Sequence, residues 1–130
     1  MKLKLGDIYN LLNNEKIIKL GNAKLKTIKD KWDLVKNIDR LNVIYDKINK
    51  EYNDLIVKFG EQVEDGSFII KRVLENGENN PKLEEFNKAS KELFSIEEEV
   101  DILQINIEAF DNDVDLDVSD LMLIKFMITE

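Results

Sequence analysis

Between Asn22 and Gly60 the chain contains no proline and no glycine, and its apolar residues form one stripe: Leu34, Ile38, Leu41, Tyr45, Ile48, Tyr52, Leu55 and Phe59. The steps alternate four and three, which is the spacing of one face of an α-helix and not of a strand. Asn22 is placed to cap the start, Lys58 lies where a cation suits the helix dipole, and Gly60 is expected to supply the left-handed residue that ends many helices. Such a helix would be about 57 Å long at 1.5 Å per residue. A chain of 130 residues cannot leave so long an apolar stripe bare, so the remaining elements must be arranged along it. The alternation reads as a heptad seam, with Ile38, Tyr45, Tyr52 and Phe59 at one core position and Leu34, Leu41, Ile48 and Leu55 at the other. Trp32, Val35, Val43, Ile44 and Ile56 widen the face beyond a two-stranded seam, and Trp32 is expected in the core.

The rest of the chain reads as shorter pieces. Leu3 and Leu5 between lysines predict an edge strand, and Asp7 is placed to cap a brief helix through Ile8, Leu11 and Leu12. Asp65-Gly66 is a turn signal, after which Ser67–Leu74 reads as extended. Asn80-Pro81 is a cap followed by a favoured first helical residue. The helix it opens carries Phe86, Ala89, Leu93, Ile96 and Val100 and is expected to pair antiparallel with the long helix, its glutamates facing lysines there. Val100, Ile102, Ile105 and Ile107 predict a strand, and Ser119 is placed to cap a terminal helix from Asp120 to about Thr129. Together these predict one α+β domain over residues 1–130: a long helix paired with a shorter antiparallel helix, a small β-sheet and an apolar C-terminal helix. The sheet is expected to combine the N-terminal strand with the segments after Gly66 and Val100.

With 43% hydrophobic residues a folded core is expected. Cysteine and histidine are absent, which excludes disulfides, thiolate and imidazole chemistry and the zinc sites built from those ligands. The start, Met1-Lys2-Leu3-Lys4-Leu5, is not a secretory leader, and no apolar run is long enough to span a membrane. A soluble, intracellular protein without a cofactor and without a membrane partner is the expectation.

The net charge of −8 is unevenly divided. Residues 1–60 hold thirteen Lys or Arg against eight Asp or Glu, a balance of +5, whereas residues 61–130 hold six against nineteen, a balance of −13. Such asymmetry suggests either a charged interaction surface or two halves that neutralise one another when packed.

Two acidic clusters are candidates for chemistry. Asp111, Asp113, Asp115, Asp117 and Ser119 fall on alternate ligand positions of a calcium loop, but Leu116 stands where the turn needs glycine and Met122 replaces the bidentate acid. A solvated acidic edge fits the run better. Glu97, Glu98, Glu99 and Asp101 form the second cluster, with Glu97 and Asp101 one helical turn apart if helical. Paired carboxylates can exchange protons or hold magnesium. However, the chain has no acid-x-lysine nuclease pattern, no GxxxxGK[ST] loop and no GxGxxG turn. With no assembled constellation, a non-enzyme that binds no metal is expected.

Lys16, Lys19, Lys24, Lys26, Lys29 and Lys31 with adjacent Trp32 would suit nucleic acid. Yet they alternate with Leu20, Leu25 and Ile28 like any amphipathic exterior, and the acidic chain as a whole would be repelled. Nucleic acid is therefore not the expected partner. The terminal segment is sharper: Leu121, Met122, Leu123, Ile124, Phe126, Met127 and Ile128 leave almost no polar face, so the helix is either buried centrally or presents a face to a partner or a second copy. The candidate partner-binding residues are Leu121, Leu123, Ile124, Phe126 and Met127 together with Glu97, Glu98, Asp101, Asp111, Asp113, Asp115 and Asp117.

Several motifs, in order, are Lys2-Leu3-Lys4-Leu5, Lys58-Phe59-Gly60-Glu61, Glu64-Asp65-Gly66, Phe86-Asn87, Leu93, Glu98-Glu99-Val100-Asp101-Ile102, and Val118-Ser119 with Leu121, Leu123, Phe126, Met127 and Ile128. In that order the chain resembles a group of small proteins encoded by tailed bacteriophages and prophages of Gram-positive bacteria. It departs from that pattern around residues 12–21. The family has no established activity, so no functional residues carry over. What the resemblance implies is context: a phage protein acting by protein–protein interaction in the host cytoplasm or within the virion. It would serve as a virion component or assembly factor, or as an accessory inhibitor whose acidic half covers a basic surface of a host or anti-phage defence enzyme.

Overall fold

The computed structural model describes residues 1–130, and the fold it shows is α+β. The chain runs β1 (Lys2–Lys4), α1 (Leu5–Leu12), α2 (Lys16–Gly21), α3 (Ile28–Phe59), β2 (Glu61–Gln62), β3 (Phe68–Ile69), α4 (Pro81–Ser95), β4 (Glu97–Glu99) and β5 (Ile105–Asn106). A 3₁₀ turn at Ile107–Ala109, α5 (Val118–Ile124), a second 3₁₀ turn at Lys125–Met127 and β6 (Ile128–Thr129) complete it. No helix is long and apolar enough to cross a membrane.

The long helix is real but starts six residues later than its first cap signal. Asn22 ends α2, and Thr27 caps α3 by accepting from the Asp30 amide at 3.1 Å. The Leu25 bridge to Phe110 holds the chain extended between α2 and α3, so the helical run opens only at Ile28. The 32 residues of α3 span about 48 Å. Leu34, Leu41 and Ile48 are fully covered, whereas Ile38, Tyr45, Tyr52, Leu55 and Phe59 are half-buried. The face is therefore a central buried line with flanks, packed on α1, α4 and β5 instead of one coiled-coil partner.

Each flank has its own chemistry. Towards α1 and α4, Tyr9 stacks on Tyr45 with centroids 5.6 Å apart, and Tyr52 lies 5.6 Å from Phe86 and 5.5 Å from Phe94. Phe86 sits by Tyr52 and Leu93 by Ile44 and Ile48, so α4 does run antiparallel to α3. Aromatic packing joins them; no glutamate of α4 forms an ion pair with a lysine of α3. Gly6 permits this closeness, since a Cβ there would lie 3.0 Å from the Phe94 carbonyl oxygen.

On the other flank Asn37, wholly buried, exchanges two 2.8 Å hydrogen bonds with Leu103, donating to its carbonyl and accepting from its amide. Arg40 donates to the Asp101 carbonyl at 2.7 Å. This pair of polar residues straps the segment after β4 onto α3.

There is no single sheet. β1 pairs antiparallel with β4 (Lys2 opposite Glu99, Lys4 opposite Glu97), β2 with β3 as a hairpin, and β5 with β6 in parallel. Helix α4 stops at Ser95, so Ile96 and Val100 are not helical, and the extended parts of Ser67–Leu74 and Val100–Ile107 shrink to two residues each. Asp65-Gly66 does make the hairpin turn, with Gly66 at φ 86° and the Asp65 carboxylate accepting from the Ser67 amide at 2.9 Å. Gly60 is not left-handed: its φ is −93°. Glycine is needed there because a Cβ would lie 2.4 Å from the Ile56 carbonyl oxygen and 2.9 Å from that of Ile69, where the hairpin folds back over the helix end. Asn80 caps α4 as expected, accepting from the Lys82 amide.

Trp32 is 59% exposed, not core, on the outer face of α3 with Ile28 and Val35. Its spacing matches a helical face, but that face points away from the body.

Candidate functional site

The terminal segment has more apolar content than one helix face can bury. It does not remain helical to Thr129: α5 ends at Ile124, one 3₁₀ turn follows, and Ile128–Thr129 extend to pair with β5. The cap is Asp117, not Ser119. Asp117 accepts from the Asp120 amide at 2.9 Å while Asp120 accepts from the Asp117 amide at 3.0 Å, a reciprocal box that satisfies two otherwise orphaned donors.

This geometry divides the five apolar candidates. Ile124 and Met127 are 2% and 1% exposed and belong to the core. Leu123 and Phe126, half-buried, line one side of a groove of about 330 Å³ between α1 and α5, whose other walls are Leu3, Ile8 and Leu11. Met122, 65% exposed, stands at its rim with Asp7, Asn10 and Lys125. Leu121 faces a wider depression on the other side of α5 with Ile107, Ile128 and Lys125. Leu3, Ile8, Leu11 and Met122 were not singled out from the sequence as site residues. The apolar stripe of α1 was visible, but its facing α5 was not.

The aspartate run does not line up as an extended edge. Asp113 binds Lys24 at 2.9 Å, and Asp117 is occupied by the cap and by Ser119. Asp120, 3% exposed, lies 3.2 Å from Lys16 and 3.3 Å from Lys19. The Asp117 amide first, then these two lysines, hold its carboxyl down to about 2, against the cost of burial. Lys24 holds Asp113 below the usual carboxylate range, and the Asp120 amide and the Ser119 hydroxyl do the same for Asp117. Asp111 and Asp115 are exposed and form no ion pair within 4 Å.

The second cluster is strand, not helix, so Glu97 and Asp101 are not a turn apart. Glu98 shares the side of Leu3, whereas Glu97 and Glu99 face the side of Lys4 and Lys2. The Asp101 carboxylate turns to Arg40 at 3.5 Å. Glu99 binds the amino group of Met1 at 2.6 Å, which holds its carboxyl low. Nowhere do three acidic side chains converge as metal ligands would.

Lys16, Lys19, Lys24, Arg40 and the Met1 amine all bind acids of the second half. The contrast of +5 and −13 is thus partly neutralised inside the molecule. The α1–α5 groove is an apolar trough of ligand size whose lining also includes one cation, one anion and one amide. No protein-family model, curated protein or solved structure matches the chain.

Proposed function

We propose that this is a non-catalytic protein that acts by binding another protein, and that the groove between α1 and α5 is its contact surface. The observation that carries the reading is the rim of that groove: Met122, 65% exposed beside half-buried Leu123 and Phe126. A flexible thioether beside an apolar trough suits an inserted apolar side chain of a partner. In the phage context that the resemblance implies, the role is that of a virion component or assembly factor. The protein would then reside in the host cytoplasm and in the assembled particle.

The second reading, an acidic inhibitor of a basic host or defence enzyme, draws on β4, where Glu97 and Glu98 are exposed and unpaired. The aspartate run supports it less, because Lys16, Lys19 and Lys24 already occupy much of it.

Affinity purification of the tagged chain from infected cells distinguishes the two. Recovery of particle proteins with the native chain, lost with Met122→Lys, supports the first reading. Recovery of a basic enzyme that salt releases, lost with Glu97→Lys and Glu98→Lys, supports the second. Metal-dependent turnover that disappears with Glu98→Gln or Asp101→Asn would overturn both.

A further inference from the structure

The outer face of α3 carries an apolar strip with no partner. Ile28 is 83% exposed, Trp32 59%, Val35 42% and Val43 58%. At 100° per residue these share one side of the helix with Asp39 and Asp46, opposite the buried line of Leu34, Leu41 and Ile48. Charge along the strip is polarised. Lys29, Lys31 and Lys36 flank its first turns, and Asp39 and Asp46 occupy the next ones. Lys29 binds Asp33 at 2.8 Å, but Lys31, Lys36, Asp39 and Asp46 form no ion pair.

We propose that this strip is a homodimer contact, in which α3 of a second copy lies antiparallel across a two-fold axis near Asn37 and Ile38. That register sets Trp32 against Val43 of the other copy, Lys36 against Asp39 and Lys29 against Asp46, and it lays the stem of Lys47 over Ile28. A parallel arrangement would place each aspartate against its own copy and is disfavoured by like charge. The apolar–basic first part and the apolar–acidic middle of one helix are thereby self-complementary, as a two-fold contact requires. Single-stranded nucleic acid would also find an aromatic ring and lysines here. The aliphatic neighbours and the two aspartates in the same strip favour a helix. The proposal concerns a different surface from the α1–α5 groove and stands apart from it.

Trp32 is the only tryptophan, so its emission reports on this contact alone. Light scattering and fluorescence over protein concentrations up to about 1 mM should show the mass rising to two chains as the emission shifts to the blue. Added salt should weaken the dimer. Trp32→Ala should raise the dissociation constant at least about tenfold. Lys36→Glu and Asp39→Lys should each weaken the dimer, and the double exchange should restore it. The proposal is overturned if the mass stays at one chain throughout, if a dimer forms that Trp32→Ala does not weaken, or if the double exchange fails to rescue. A blue shift seen only on adding single-stranded DNA to a monomer would assign the strip to nucleic acid instead.

Discussion

Two acidic segments that look alike in the sequence are held to the molecule in opposite ways. Glu97–Asp101 is anchored through its backbone: β4 pairs with β1, and just beyond it Asn37 and Arg40 grip the main chain at Leu103 and Asp101. Two of its four carboxylates, Glu97 and Glu98, are free, while Glu99 binds the Met1 amine and Asp101 faces Arg40. Beyond the Asp111 amide, which donates to the Lys24 carbonyl at 2.8 Å, Asp111–Asp120 is anchored through its side chains, with Asp113 on Lys24, Asp117 in the cap and Asp120 between Lys16 and Lys19. A cluster of acids is therefore no guide to an available anionic surface until its lysines are located. Here the longer cluster is the less available one.

The contrast predicts a ranked series of effects. The largest follows Asn37→Ala, which leaves the half-buried amide and carbonyl of Leu103 without their partners. A loss of about 2–4 kcal/mol in urea unfolding is expected, with hydrogen-exchange protection failing first between Val100 and Gln104. Equal loss of protection everywhere would show that the strap is not local. Next comes Asp120→Ala, which removes one half of the cap box and leaves Lys16 and Lys19 facing each other. A melting temperature lower by several degrees is expected, and exchange should rise across residues 111–120 while β4 stays protected.

Acid should separate the segments more gently. Asp120 is depressed from 3.8 to about 2 by folding, so its contribution is complete above about pH 4 and is lost as pH falls through 2. Asp113 and Asp117 are shifted the same way. Amide shifts of residues 111–120 should therefore change together below pH 4, before those around Leu103, whose anchor does not titrate. Glu99 of β4, paired with the Met1 amine, is shifted the same way and should follow them. The smallest effect is expected of Glu97→Gln and Glu98→Gln, which should leave the melting temperature unchanged, as exposed and unpaired groups do. A marked change would mean that Lys4, opposite Glu97 on β1, contributes more than the geometry shows.

The parts of the fold that were legible are those governed by local chemistry. Helix α3 follows from the stripe Leu34 to Phe59, α4 from Asn80-Pro81, the hairpin from Asp65-Gly66, and the edge strand from lysines flanking Leu3. What was not legible depends on partners distant in the chain. Nothing near Ile128 announces a parallel pairing with Ile105, and nothing near Asn37 shows that the backbone at Leu103 will need its amide. Trp32 and Gly60 show the same limit from the other side. Helical spacing identifies a face but not which face is covered, and a glycine at a helix end can answer a close approach instead of a left-handed turn. In the groove, Leu123 and Phe126 were legible as apolar excess. The α1 wall opposite them was not, because it is brought there by tertiary packing.

The central claim, that a protein partner meets the chain at the α1–α5 groove and not at its acidic face, is tested most directly by photo-crosslinking in infected cells. A photoreactive phenylalanine analogue would replace Met122 in one chain and Glu97 in another. Discrete protein adducts of constant mass from position 122, with none from position 97, are the predicted result. Adducts from position 97 alone, with position 122 silent, would contradict it and move the contact to β4.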